Sequence, residues 1–215
     1  MTQIINATYD PSKVWKPIEE GTYPAHIKSL SSRDVNTRAG EAIVVNMRYK
    51  MADEVADMSQ PVWLMEGYKY AKNNEGEKVA VTNGSGVQDT TSCEHLKGRE
   101  FQDNGFFIFT DSSSSSKNRR YFELLDNLEI NCEENSDNVK KLVLLEEEDV
   151  IGKPVMVTIK RHEFVTSETK NLPYDQQERR STFKVSNVVL WSDGTPLAPE
   201  AVSYTHLTLP TNREV

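Results

Sequence analysis

Apolar and polar residues alternate through GTYPAHIKSL (21–30), EAIVVNMRYK (41–50), GKPVMVTIKRHEF (152–164) and STFKVSNVVLW (181–191). A period of two marks strands with one face buried, so these four stretches predict β-strands. GFFIFT (105–110) is apolar without interruption and predicts a short, buried strand. The period then changes. Tyr121, Leu124, Leu125 and Leu128 fall at i, i+3, i+4 and i+7, one face of a helix. Ser112–Ser116 ahead of it read as a flexible lead-in that offers an N-cap hydroxyl. A second short helix is expected over Val139–Leu145. Asn73-Asn74-Glu75-Gly76 separates two further candidate strands, so residues from about 61 to 100 read as a β-hairpin insertion. No internal repeat stands out.

The order strand, strand, insertion, strand, helix, strand, strand predicts a mainly β chain. Its best match is an OB-fold-like five-stranded Greek-key barrel with one helix between strands three and four and a β-hairpin insertion. Residues 1–20, polar and broken by Pro11 and Pro17, read as an N-terminal arm. Residues 21–200 form the OB-like domain, including an acidic helical segment at about 118–149.

The net charge of −8 would speak against a nucleic-acid partner if it were evenly spread. It is not: Glu123 to Asp149 hold ten acidic and two basic residues, which accounts for the whole excess. Local charge governs how a ligand is steered, so the acidic total is no veto. No stretch has the roughly 20 apolar residues of a membrane helix. MTQIINATYDPSK lacks the basic and apolar regions of a secretory signal. Cys93 and Cys132 are too few and too unpatterned for a disulfide framework, which points to a reducing cytoplasm.

Where apolar alternates face a core, the others face out. Strand one turns Tyr23, Ala25 and Ile27 inward and His26 and Lys28 outward. Strand two buries Ile43, Val45, Met47 and Tyr49 and presents Asn46, Arg48 and Lys50. Strand four presents Thr158, Lys160 and His162, and strand five presents Lys184. The loop between strands one and two adds Arg33 and Arg38; the loop between four and five adds Lys170, Tyr174, Arg179 and Arg180. The insertion contributes Trp63, Tyr68, Tyr70 and Lys72. Cations that track phosphates, interleaved with rings on which bases stack, are what sequence-independent binding of a single strand requires. One outward lysine serves solubility or edge protection equally well. Agreement across four strands and two loops is what carries the expectation.

Signs of catalysis are thin. Cys93-x-His95 lacks the second ligand pair of a zinc site, and Asn83-Gly84-Ser85-Gly86 lacks the Lys-Ser/Thr of a phosphate-cradling loop. No metal site, cofactor or enzymatic activity is expected.

Two resemblances add to this. Val202–Val215, VSYTHLTLPTNREV, resembles a translated sequencing adapter. Residues 201–215 are therefore expected not to be native, the true C-terminus to lie beyond this sequence, and His206 to leave the candidate ligands. YDPSKVWKPIEEGTYPAHI, GEAIVVNMRY, FFIFT followed by RRYFELLDNL, and VIGKPVMVTI resemble bacteriophage proteins of the DUF669 type, commonly labelled single-stranded DNA-binding proteins. The resemblance spans roughly Tyr9 to Trp191 and is most recognisable at Gly152-Lys153-Pro154-Val155. It implies an OB-like fold, a place in phage DNA replication or recombination, and the host cytoplasm. The expected partner is single-stranded DNA, with phage recombinase, helicase or polymerase as protein partners and room for a homo-oligomer. The rival expectation is a non-enzymatic phage interaction or assembly module on a similar β-barrel; a metal-dependent nuclease is a third.

Overall fold

The computed structural model describes residues 18–66, 69–111, 116–134 and 140–197. The N-terminal arm up to Pro17, Tyr68, most of the serine tract and the adapter-like tail lie outside the described residues. In chain order, β1 (Gly21–Thr37) and β2 (Gly40–Met51) form a long hairpin. The insertion holds β3 (Ser59–Pro61), β4 (Met65–Glu66), β5 (Lys69–Tyr70) and β6 (Thr90–Ser92). Next come β7 (Glu100–Gln102), β8 (Phe106–Phe109) and helix α1 (Arg119–Asn127). The paired β9 (Glu133–Glu134) and β10 (Lys140–Lys141) and helix α2 (Glu147–Val150) then lead to a second long hairpin, β11 (Pro154–Val165) and β12 (Arg179–Leu190).

One antiparallel sheet runs in the order β12–β11–β1–β2–β7, and β8 also pairs with β2. The chain is mainly β, with α1 following its third principal strand in chain order and packed against β8 and β12. Among the described residues no continuous ladder closes the sheet. A single parallel bridge, Asp103 to Val185, joins its two edges.

The period of two survives folding. Val45, Met47, Tyr49 and Met51 of β2, Val155, Val157 and Ile159 of β11, and Val185 and Val188 of β12 share one core. A bulge between Ile27 and Ser29 makes Lys28 the extra residue and lets Leu30, rather than Ser29, pack toward that core. Tyr121, Leu124, Leu125 and Leu128 are all buried, as their spacing predicts. The Tyr121 hydroxyl donates to Val143 O at 2.8 Å and accepts Leu145 N–H at 3.0 Å. Burial pushes its pKa up to about 12, so it remains a donor at neutral pH. His26 points outward as expected, yet it is buried: Thr195 O lies 2.9 Å from its Nε2 and Trp191 packs on its ring.

Four local expectations are corrected. The residue at the start of α1 is Asn118, not a serine, and its side chain caps the strand instead of the helix. Its Oδ1 accepts Phe109 N–H at 2.7 Å and its Nδ2 donates to Phe109 O at 3.0 Å. The second helix lies at Glu147–Val150, where Glu146 and Asp149 form a capping box; Lys140–Lys141 pairs instead with Glu133–Glu134. In GFFIFT only Phe106 and Ile108 face the core, because a strand on a one-sided sheet cannot bury both faces.

The insertion, finally, is more than one hairpin. Leu64 N–H donates to Val79 O, Val79 N–H to Ala71 O and Ala71 N–H to Leu64 O, closing a triangle of main-chain bonds. Val62, Asp89 and Val81 close a second one in the same way. Two turns ten residues apart repeat one another. Asn73 Oδ1 accepts the N–H groups of Glu75 and Glu77, and Asn83 Oδ1 accepts those of Ser85 and Val87. Gly76 and Gly86 hold the positive φ that each turn needs. A ten-residue repeat is thus present in Asn-x-x-Gly.

Gly152 has a stricter reason to be glycine. Its φ is +80°, and a Cβ there would lie 2.2 Å from Leu197 O, which belongs to the segment that covers His26. Gly152→Ala should cost at least about 2 kcal/mol, from the left-handed backbone together with displacement of the segment at Leu197. Chemical denaturation measures it, and an unchanged midpoint would refute the close approach.

Candidate nucleic-acid interface

Directly opposed residues on neighbouring strands share a face, so the pairing registers assemble the outward surface of β1, β2, β7 and β8 row by row. Lys50 opposes Glu100. Ser29, Arg48 and Gln102 form the next row. Arg33, Val44 and Phe107 form another, and Val35, Ala42 and Phe109 the last. Lys28, at the bulge, pairs with Glu100 at 2.5 Å. That hydrogen bond, with Arg48 and Lys50 nearby, holds the Glu100 carboxyl below its ordinary range. Asp34 and Glu41 oppose Ile43 and Asn36 and alternate away from this face.

The middle of the surface is aromatic. Phe107 is 40% exposed, and its ring stacks on that of Phe109 with centroids 6.4 Å apart and planes 23° from parallel. A hollow of about 410 Å³ beside them is lined by Arg38, Lys117 and Arg120 together with Thr37, Ala39 and Gly105. It has three cations and no carboxylate in its lining. Lys117 Nζ sits 5.3 Å from the Phe109 ring and donates to Ala39 O at 3.2 Å, tying the α1 lead-in to the tip of the first hairpin. Arg120 lies 5.2 Å from the Phe106 ring. Gly105, at φ +81°, lets the chain turn directly over Val44: a Cβ would come within 2.7 Å of the valine's Cγ2.

Of the expected site residues, Lys28, Arg33, Arg38, Arg48 and Lys50 converge on this strip. Phe107, Phe109, Lys117 and Arg120 join it unanticipated. The signal for the two phenylalanines was there: alternation inside FFIF, with Phe106 and Ile108 facing in, leaves 107 and 109 facing out.

A second group gathers elsewhere. Tyr70, Lys72, Arg179 and Arg180 line a groove of about 740 Å³ between the insertion and the distal half of β11–β12, with Lys78, Arg161, Glu77 and Glu163. The Tyr70 ring is not an open platform. Lys78 Nζ lies 4.1 Å over it, its hydroxyl donates to the Glu19 carboxylate, and burial raises its pKa well above the ordinary value. Tyr174 is 73% exposed, with the Arg179 guanidinium 4.2 Å from its ring.

The remaining expectations are not brought together. Lys160 and Lys184 oppose one another on the outer face of β11–β12, and His162 opposes Thr182 beside them. β1 separates this pair of strands from β2. Lys170 is exposed in the loop before β12, and Trp63 is half-buried in the insertion with Lys78 5.2 Å over its ring. Tyr68 lies outside the described residues.

Among the described residues no three His, Cys, Asp or Glu side chains cluster as metal ligands, and no helix is long and apolar enough to cross a membrane. Comparison with protein-family models, with curated proteins and with solved structures gives no match.

Proposed function

We propose that the chain binds single-stranded DNA without sequence preference, on an OB-fold-like five-stranded Greek-key barrel whose third strand is β7–β8. The observation that carries this is the stacked Phe107–Phe109 pair set among Arg33, Arg38, Arg48 and Lys117 on one outward face. The strand order, the helix after the third strand and the parallel Asp103–Val185 bridge all favour the barrel. The nine residues of β2 from Ala42 to Lys50 span eight steps and give the strip a length of about 26 Å at ~3.3 Å per residue. That suits the roughly 4–16 nucleotides covered by one such barrel. Phosphates follow the cations, and bases stack on the exposed ring face. The protein acts by binding and not by catalysis. Its assignment to phage replication or recombination in the host cytoplasm, alongside a recombinase, helicase or polymerase, rests on the sequence resemblance alone.

Binding to oligo-dT should weaken steeply with salt, with a log–log slope of about −3.5 if five phosphates are neutralised. Lys50→Glu should lower affinity at least about tenfold at low salt by reversing one charge in the strip. Lys160→Glu, on the far side of β1, should leave it within about twofold. Fluorescence anisotropy measures all three. Salt-independent binding, or equal effects of the two reversals, would overturn the assignment. Absence of oligonucleotide binding would favour the protein-interaction module instead.

A further inference from the structure

We infer that the groove between the insertion and the distal half of β11–β12 holds the phosphates of a second nucleic-acid strand, so that one protomer bridges two strands; this rests on the binding proposal above. Ile159 and Val185 face the core, and the alternation continues outward through Arg161, Glu163, Ser181 and Arg179. These side chains therefore line the inner face of the projecting hairpin. The Phe107–Phe109 pair lies on the outer face of the sheet, with β1 and β2 between β8 and β11. A strand lying along the strip cannot enter the groove without turning round the sheet.

Charge selects the occupant. Acids outnumber bases 33 to 25 in the whole chain, yet five cations and two carboxylates line the groove. Lys78 is partnered by Glu19 at 2.5 Å and Arg180 by Glu178 at 2.8 Å. Lys72, from the insertion wall, and Arg161 and Arg179, from the opposite wall, outnumber the lining carboxylates Glu77 and Glu163, so the gap keeps an excess of positive charge. Lys72 and Lys78 are held directly opposite one another; Glu19 partners Lys78, and Lys72 lines the groove. Arg179 also reaches the exposed ring of Tyr174, which extends the groove toward a stacking surface. Cations on two walls with an aromatic at the mouth suit a phosphodiester strand better than a compact anion.

The test uses two dT oligonucleotides carrying a donor and an acceptor dye, with strands bound per protomer counted by titration. The wild-type protein should bind two and bring the dyes together, and the intrinsic fluorescence of Trp63, beneath Lys78, should change as the second binds. The double variant Lys72→Glu/Arg179→Glu should bind one strand and lose energy transfer, with first-strand affinity within about twofold of wild type. An unchanged melting temperature shows that the variant is folded. A wild-type protein that saturates with one strand, or a double variant that still binds two, overturns the inference and leaves the strip intact. If tripolyphosphate alters Trp63 but no second oligonucleotide binds, the groove takes a small phosphoryl ligand and the two-strand inference is likewise overturned. A wild-type protein that binds no oligonucleotide removes the binding proposal itself.

Discussion

Asparagine in place of Asp103 is expected to destabilise the fold by about 3 kcal/mol, roughly 6–12 °C in melting temperature for a chain of this size. The Asp103 side chain is 1% exposed and sits where β7 ends and the bridge to Val185 forms. Its Oδ2 accepts Met47 N–H and the Tyr49 hydroxyl, both at 3.1 Å, and its Oδ1 accepts Gly105 N–H at 2.8 Å. Both oxygens thus receive a main-chain donor. An amide has one acceptor oxygen, so in either orientation its NH₂ faces a buried N–H and leaves it unpaired. Tyr49 cannot compensate by ionising, because burial and the neighbouring carboxylate hold its hydroxyl far above its ordinary value. Burial also raises the Asp103 pKa from 3.8, against the opposing pull of its three donors. The folded state therefore holds this proton more tightly than the unfolded one. The group's contribution to stability is complete below the unfolded value and falls as pH rises through the folded value. The stability gap between wild type and Asp103→Asn should accordingly widen as pH is lowered from neutrality. Urea denaturation at several pH values checks both size and sign; a gap that narrows in acid would mean the native state favours the carboxylate.

What could be read along the chain was what depends on a strand or helix alone. Alternation put Val45, Met47 and Tyr49 inside and Arg48 and Lys50 outside, and the i, i+3, i+4, i+7 spacing found the buried face of α1. Alternation says which side a residue takes, and is silent on which strand lies beside it. Lys160 and Lys184 do point outward, but the sheet order sets them across β1 from the strip. Val44 and His26 alternate outward and are buried even so, one under the Gly105 turn and the other under the segment reaching Leu197. Tyr70 looked like a stacking residue until the fold laid Lys78 across its ring. The Phe107–Phe109 pair was hidden for a different reason: an unbroken apolar run resembles a strand buried on both faces, and that holds only in a sheet covered on both sides. Here β8 has a core on one side and open surface on the other.

The largest expected effect on binding follows from that open surface. Phe107→Ala/Phe109→Ala should weaken oligo-dT binding by about 2–3 kcal/mol, some thirtyfold to more than a hundredfold, since each base stacked on an aromatic ring contributes roughly 1–3 kcal/mol. The two rings already stack on one another, so the loss should fall short of two independent stacks. Folding should suffer little at Phe107, which is 40% exposed. The salt dependence separates this loss from a general disturbance. Removing rings leaves the phosphate contacts in place, so the slope of log K against log salt should not change. Arg38→Ala/Lys117→Ala should do the reverse, making the slope shallower by about 1.4 as two phosphate contacts are lost, with a smaller loss of affinity at high salt. Salt titrations of the two double variants decide it. If the phenylalanine variant loses slope together with affinity, the rings act by shaping the hollow that holds Arg38 and Lys117; if it loses neither, β8 is not the surface on which the bases lie.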